Sequence, residues 1–89
     1  MNLEIVSRTG TIFHGDVKEV VVPAAEGELG ILPGHTPLLA ILVPGTVRFV
    51  QPNGEAHTFN TTRGFVTLEE DQVMVVVDAG TEAEQVKSA

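Results

Sequence analysis

The chain has no cysteine. Disulfides and thiolate metal centres are therefore excluded, the core must hold by aliphatic packing, and a reducing intracellular compartment fits. Tryptophan and tyrosine are absent too, and only four phenylalanines supply aromatic surface. Basic residues are few: five stand against twelve acidic ones, for a formal charge of −7. Arg8, Lys18, Arg48, Arg63 and Lys87 are also scattered along the chain. Nucleic-acid and anionic-membrane surfaces need clustered Lys and Arg, so both are disfavoured. The acidic balance suits a basic protein partner and equally serves solubility. Long hydrophobic runs are missing as well. The longest, Leu38 to Val43, has six residues, against the roughly 20 a helical membrane span needs. Met1 to Ile5 shows no basic region followed by an apolar stretch, so no targeting segment is expected. Any membrane association is expected to come through a partner.

What the chain does have is valine, threonine, glycine and proline, the composition of short strands joined by tight turns. Its 89 residues suffice for one domain with a modest core. Leu3 and Ile5 alternate with polar neighbours, the period of a half-buried strand. Thr9-Gly10 marks a turn, and a second strand is expected from Thr11 to Val22, broken at Gly15-Asp16 and stopped by Pro23. A short strand from Glu28 to Leu32 should precede a turn at Pro33-Gly34. Leu38 to Val43 reads as a buried strand closed by Pro44-Gly45. Pro52-Asn53-Gly54 closes a hairpin that turns Phe49 and Phe59 inward. Phe65 to Glu69 should pair with Gln72 to Asp78 across an acidic turn, with Val73, Val75 and Val77 on one face. Strand signals every eight to twelve residues or so indicate an all-β sandwich or flattened barrel. One domain is expected over residues 1–80. Residues 81–89 form a short acidic tail in which Thr81, followed by Glu82 and Glu84, could cap the start of a helix.

No chemistry-bearing constellation emerges. His14, His35 and His57 lack the local spacing of metal ligands and read as surface or loop residues. The serines, Ser7 and Ser88, lie in no nucleophile elbow. Glu69-Glu70-Asp71 reads as a charged hairpin tip, because a calcium loop needs Asp-x-Asp spacing and a following Gly. The segment from Glu26 to Leu39 is rich in Gly and Pro, but no Lys follows Gly30 or Gly34 as a phosphate loop requires. That segment can be a set of ordinary turns, or a rigid recognition edge carrying Glu28 and His35.

The run Glu26-Gly27-Glu28-Leu29-Gly30-Ile31-Leu32-Pro33-Gly34-His35-Thr36-Pro37-Leu38-Leu39 closely resembles the signature segment of the epsilon subunit of F-type (F1Fo) ATP synthases. Phe13-His14-Gly15-Asp16-Val17, Pro44-Gly45-Thr46-Val47-Arg48, Arg63-Gly64-Phe65-Val66 and Val73 to Asp78 resemble further segments of that family, in the same order. Arg63-Gly64 stands where the family more often has Gly-Gly. The resemblance implies a flattened β-sandwich or barrel of about ten mostly antiparallel strands. It implies a non-catalytic rotor subunit of the central stalk, bound to the gamma subunit and contacting the polar loops of the c ring, so that proton translocation is coupled to ATP synthesis. Carried onto this chain, the partner-binding residues for ring and gamma are Glu28, Leu29, Gly30, Pro33, Gly34 and His35. Glu28 would meet basic residues of the c loops and His35 would lie near the gamma–ring junction. No cofactor and no nucleic acid are implied. The location implied is the cytoplasmic face of a bacterial membrane, or its equivalent, peripheral through the complex. The family's C-terminal helical hairpin would begin where this sequence stops at Ala89, so neither its inhibitory action nor ATP binding is expected here. The competing readings are a carbohydrate- or protein-binding β-sandwich module and a small β-barrel enzyme.

Overall fold

A computed structural model describes residues 1–83, all of whose regular elements are strands. These are β1 (Asn2–Ser7), β2 (Gly10–Asp16), β3 (Glu19–Ala24), β4 (Gly27–Ile31), β5 (Leu38–Leu42), β6 (Gly45–Val50), β7 (Ala56–Thr61), β8 (Gly64–Glu69), β9 (Gln72–Val77) and β10 (Gly80–Glu82). They follow the order β10-β7-β6-β3-β5-β8-β9-β1-β2, with β4 attached to β3 alone. Every pairing is antiparallel except β1 with β9. The expected architecture, a flattened β-sandwich or barrel of about ten mostly antiparallel strands, is the one observed: ten strands in a nearly closed, barrel-like sandwich.

Alternation builds the core. Leu3 and Ile5 of β1 meet Val73 and Val75 of β9, which meet Leu68 and Val66 of β8. Val20 and Val22 of β3, Val47 and Phe49 of β6 and Phe59 of β7 complete the interior, and all are buried. Cross-strand partners share a face, so one inward row commits the next strand's register. Phe49 is the largest fully buried side chain, and its ring lies 4.3 Å from that of Phe13 and 5.9 Å from that of Phe59.

Three local expectations are corrected. Pro23 does not end its strand but lies within β3. β3 pairs with β6 over Glu19–Val21 and with β5 at Ala24. Pro23 falls between these partners, where its missing N–H breaks no ladder bond, and its carbonyl accepts from Val43 N–H at 2.9 Å. Thr81 and Glu82 are not helical. They extend β10 along β7, opposite Asn60 and Phe59; residues 84–89 of the expected tail lie outside the described residues. His57 is no free surface residue. It stacks on Phe49 at 5.3 Å, and its Nδ1 lies 2.9 Å from Glu82 Oε2. Its Nε2 lies 3.0 Å from Gln51 Oε1 and 3.3 Å from Glu55 Oε1, so one imidazole fastens β10 to the β6–β7 hairpin.

Candidate partner-binding surface

The segment singled out in the sequence divides into two places. Glu28, Leu29 and Gly30 belong to β4, whereas Pro33, Gly34 and His35 belong to the turn beyond it. At about 3.3 Å per residue, β4 holds its two ends roughly 13 Å apart. Among the described residues β4 pairs only with β3, which leaves its other edge open. Glu28 points outward, beside Pro23, and its Oε2 lies 3.2 Å from Arg48 Nη2 on β6. Both side chains are at least half exposed, so this pair contributes little stability. Leu29 shares the inward face with Val22 and is half-buried, and Gly30 is exposed opposite Val21.

At the far end, His35 N–H donates to Leu32 C=O at 3.1 Å and closes a four-residue turn. Pro33 presets its first central position, and Gly34 takes the positive φ, 85°, that the second position of a type II turn demands. Gly34 N–H reaches Asp71 Oδ1 at 3.5 Å, and the N-terminal ammonium lies 3.6 Å from Asp71 Oδ2. Asp71 sits in the β8–β9 turn, where it and Glu70 both have positive φ. The Pro-Gly turn, the acidic hairpin tip and the chain's first residue thus form one end of the sandwich. His35 is exposed there, its Nδ1 2.7 Å from Thr36 O.

A second surface is one that sequence reading misses. Leu38 to Val43 is expected to be buried, but only Leu38, Ala40 and Leu42 face inward. Leu39 is 70% exposed, Ile41 62% and Val43 41%. Ile41 lies opposite Phe65, which lies opposite Val76; Leu39 lies opposite Thr67, which lies opposite Met74. Two outward rows therefore cross β5, β8 and β9, apolar at every position but Thr67, and Phe65 and Met74 are 39% and 40% exposed. Exposed apolar residues occurring singly need no explanation, but a contiguous patch marks an interaction surface. The signal is present: β5, β8 and β9 carry apolar residues at both parities, which a run read for length alone conceals. Leu29 joins Leu39 and Ile41 around a groove between β4 and β5, linking this face to the signature segment.

Among the described residues no three His, Asp or Glu side chains group as metal ligands. Of the four phenylalanines only Phe65 is exposed, and one ring makes no stacking platform.

Comparison with known proteins agrees with the sequence resemblance. Residues 1–83 match the family described as the β-sandwich domain of the ATP synthase delta/epsilon chain. The chain is 42% identical over 78 residues to the ATP synthase epsilon chain of Wolinella succinogenes, covering 88% of this chain and 60% of that one. It is 38% identical over 86 residues to the ATP synthase epsilon chain of Chromohalobacter salexigens, covering 97% and 61%. The chain thus spans about 60% of the length of these relatives. Its fold is shared with a chain of the Euglena gracilis mitochondrial ATP synthase, at a TM-score of 0.84 and 21% identity over 90% of this chain and 51% of that one. It is also shared with a chain of the Tetrahymena thermophila mitochondrial ATP synthase central stalk and c-ring structure, at 0.80 and 15% over 99% and 70%.

Proposed function

Because this chain belongs to the family of ATP synthase delta/epsilon β-sandwich domains, we propose that it is a non-catalytic part of the central stalk, docking the gamma subunit on the exposed face of β5, β8 and β9. The observation that carries this reading is the outward pair of rows containing Leu39, Ile41, Phe65 and Met74. Leaving such a face in water forgoes about 25 cal/mol for each Å² of apolar area that a partner could cover. A rotor element must also transmit torque, and a broad, stiff sheet face meets that need better than a mobile loop. In this role the chain is peripheral to the membrane through the complex, on the cytoplasmic or equivalent side. The test is calorimetry of the full chain with purified gamma subunit. Saturable one-to-one binding is expected, and absence of detectable heat and of co-elution would end the proposal.

The β4 edge and the Pro33–His35 turn are the proposed contact with the polar loops of the c ring. Glu28 is the proposed ligand of basic loop residues, and its exposed carboxylate lies 3.2 Å from Arg48 Nη2. The exchange Glu28→Arg/Arg48→Glu keeps the internal pair while moving the charge. We expect it to leave thermal stability unchanged, because the pair is exposed, and to lower coupled ATP synthesis several-fold in reconstituted vesicles. Full coupling by the exchanged variant would remove Glu28 from the contact.

A further inference from the structure

The apolar face ends in a groove with a distinct chemical character. Ile41, Val43, Pro44, Phe65 and Val76 are among its apolar lining residues, and Arg8 and Arg63 line it too. Both arginines are exposed, and among the described residues neither has an ion-pair partner. Positive charge is scarce in this chain. Of the four basic side chains within residues 1–83, Arg48 is committed to Glu28 and Lys18 lies outside the groove, so the other two converge here. Among the described residues Asp78 is the one carboxylate lining the groove, which leaves their charge there net positive in a chain whose formal charge is −7.

The backbones that present the arginines are anchored. Arg8 N–H donates to Asp78 C=O at 3.2 Å, and next to Arg63 the Thr62 N–H donates to Ala79 C=O at 3.0 Å. Thr62 also exchanges side-chain bonds with the backbone of Ala79. A guanidinium beside an apolar wall suits a ligand that carries a carboxylate. It binds a carboxylate through paired N–H donors, and the neighbouring apolar surface lowers the local dielectric once water is excluded.

We infer that this groove takes a segment of the gamma subunit in which an acidic side chain stands next to an apolar one. The apolar side chain seats on Ile41, Phe65 and Val76, and the carboxylate lies between Arg8 and Arg63. The inference rests on the reading that gamma docks on this face, and it adds what that reading lacks: the orientation and selectivity of the contact. Apolar rows tolerate sliding, whereas two arginines at one end admit one register, because a misplaced carboxylate leaves the cations unpaired.

The test compares gamma binding at low and high salt for the wild-type chain, Arg8→Gln/Arg63→Gln and Leu39→Ser. Thermal melting of each variant verifies folding, which exposed positions should leave intact. The double arginine variant should bind about tenfold more weakly at low salt and lose most of its salt dependence. Leu39→Ser should weaken binding at both salt concentrations without changing that dependence. Arg8→Lys/Arg63→Lys should keep the salt dependence but recover only part of the affinity, since ammonium groups lack the fork geometry. If Leu39→Ser weakens binding while the double Gln variant behaves as wild type, the carboxylate partner is refuted and the docking face survives. If Leu39→Ser changes nothing, the docking face falls and the inference with it.

Discussion

Gly64→Ala should cripple the fold, lowering the melting temperature by roughly 12–24 °C. Gly64 opens β8 opposite Val77 of β9. A Cβ at this position would overlap the carbonyl oxygen of Val76 and lie 2.8 Å from its carbon and 2.9 Å from Val77 Cα. These are backbone atoms of the neighbouring strand, so no rotamer change relieves the clash. β8 would have to leave β9 at the place where Val66 and Val75 enter the core. Overpacking of this kind costs about 3 kcal/mol, a large share of the stability available to so small a domain. Gly30→Ala is the matched control. Its added Cβ meets nothing within 4 Å and its φ is not positive, so its melting point should stay within about 3 °C of wild type. Equal melting of the two variants would show that β8 and β9 are not apposed as described. The same glycine gives the Arg63-Gly64 pair its meaning: the glycine is dictated by the sheet, and the arginine is free to serve the groove.

The second large effect should appear in binding. Leu39→Asp/Ile41→Asp should weaken association with gamma by at least about 100-fold while leaving the melting temperature nearly unchanged. Both side chains are more than half exposed and give nothing to the core. Their burial against a partner would therefore reverse from favourable to costly, because each introduced carboxylate would lose water without gaining a partner. Calorimetry with purified gamma reads the affinity, and melting curves separate loss of binding from loss of structure. A double variant that binds as tightly as wild type would place the gamma contact elsewhere on the sandwich.

Much of this protein is legible in its residue order. Period-2 alternation places Leu3, Ile5, Phe49, Phe59, Val73, Val75 and Val77 in the core, where they are found. Turn chemistry locates the Pro33-Gly34 turn and the Pro52-Asn53-Gly54 hairpin, because proline presets φ and glycine alone takes positive φ without strain. These signals are local, and the residues that produce them act within two or three positions of themselves. The features that mislead are non-local. Pro23 reads as a stop because a proline's effect in a strand depends on which edge its missing N–H faces. His57 reads as a surface residue because Glu82, its closest partner, arrives from another strand.

The sequence by itself determined the all-β class, the inward face of most strands and the family signature, since each follows from residue types at short spacing. Only the tertiary structure decided where the exposed apolar face lies, on which the proposed docking rests. The run from Leu38 to Val43 is apolar at every position, so its pattern cannot say whether its second face meets protein or solvent. That depends on what β8 and β9 place beside it, which is a property of strand order. The same holds for Arg8 and Arg63: 55 positions separate them along the chain, and the parallel pairing of β1 with β9, in turn paired with β8, brings them to one groove.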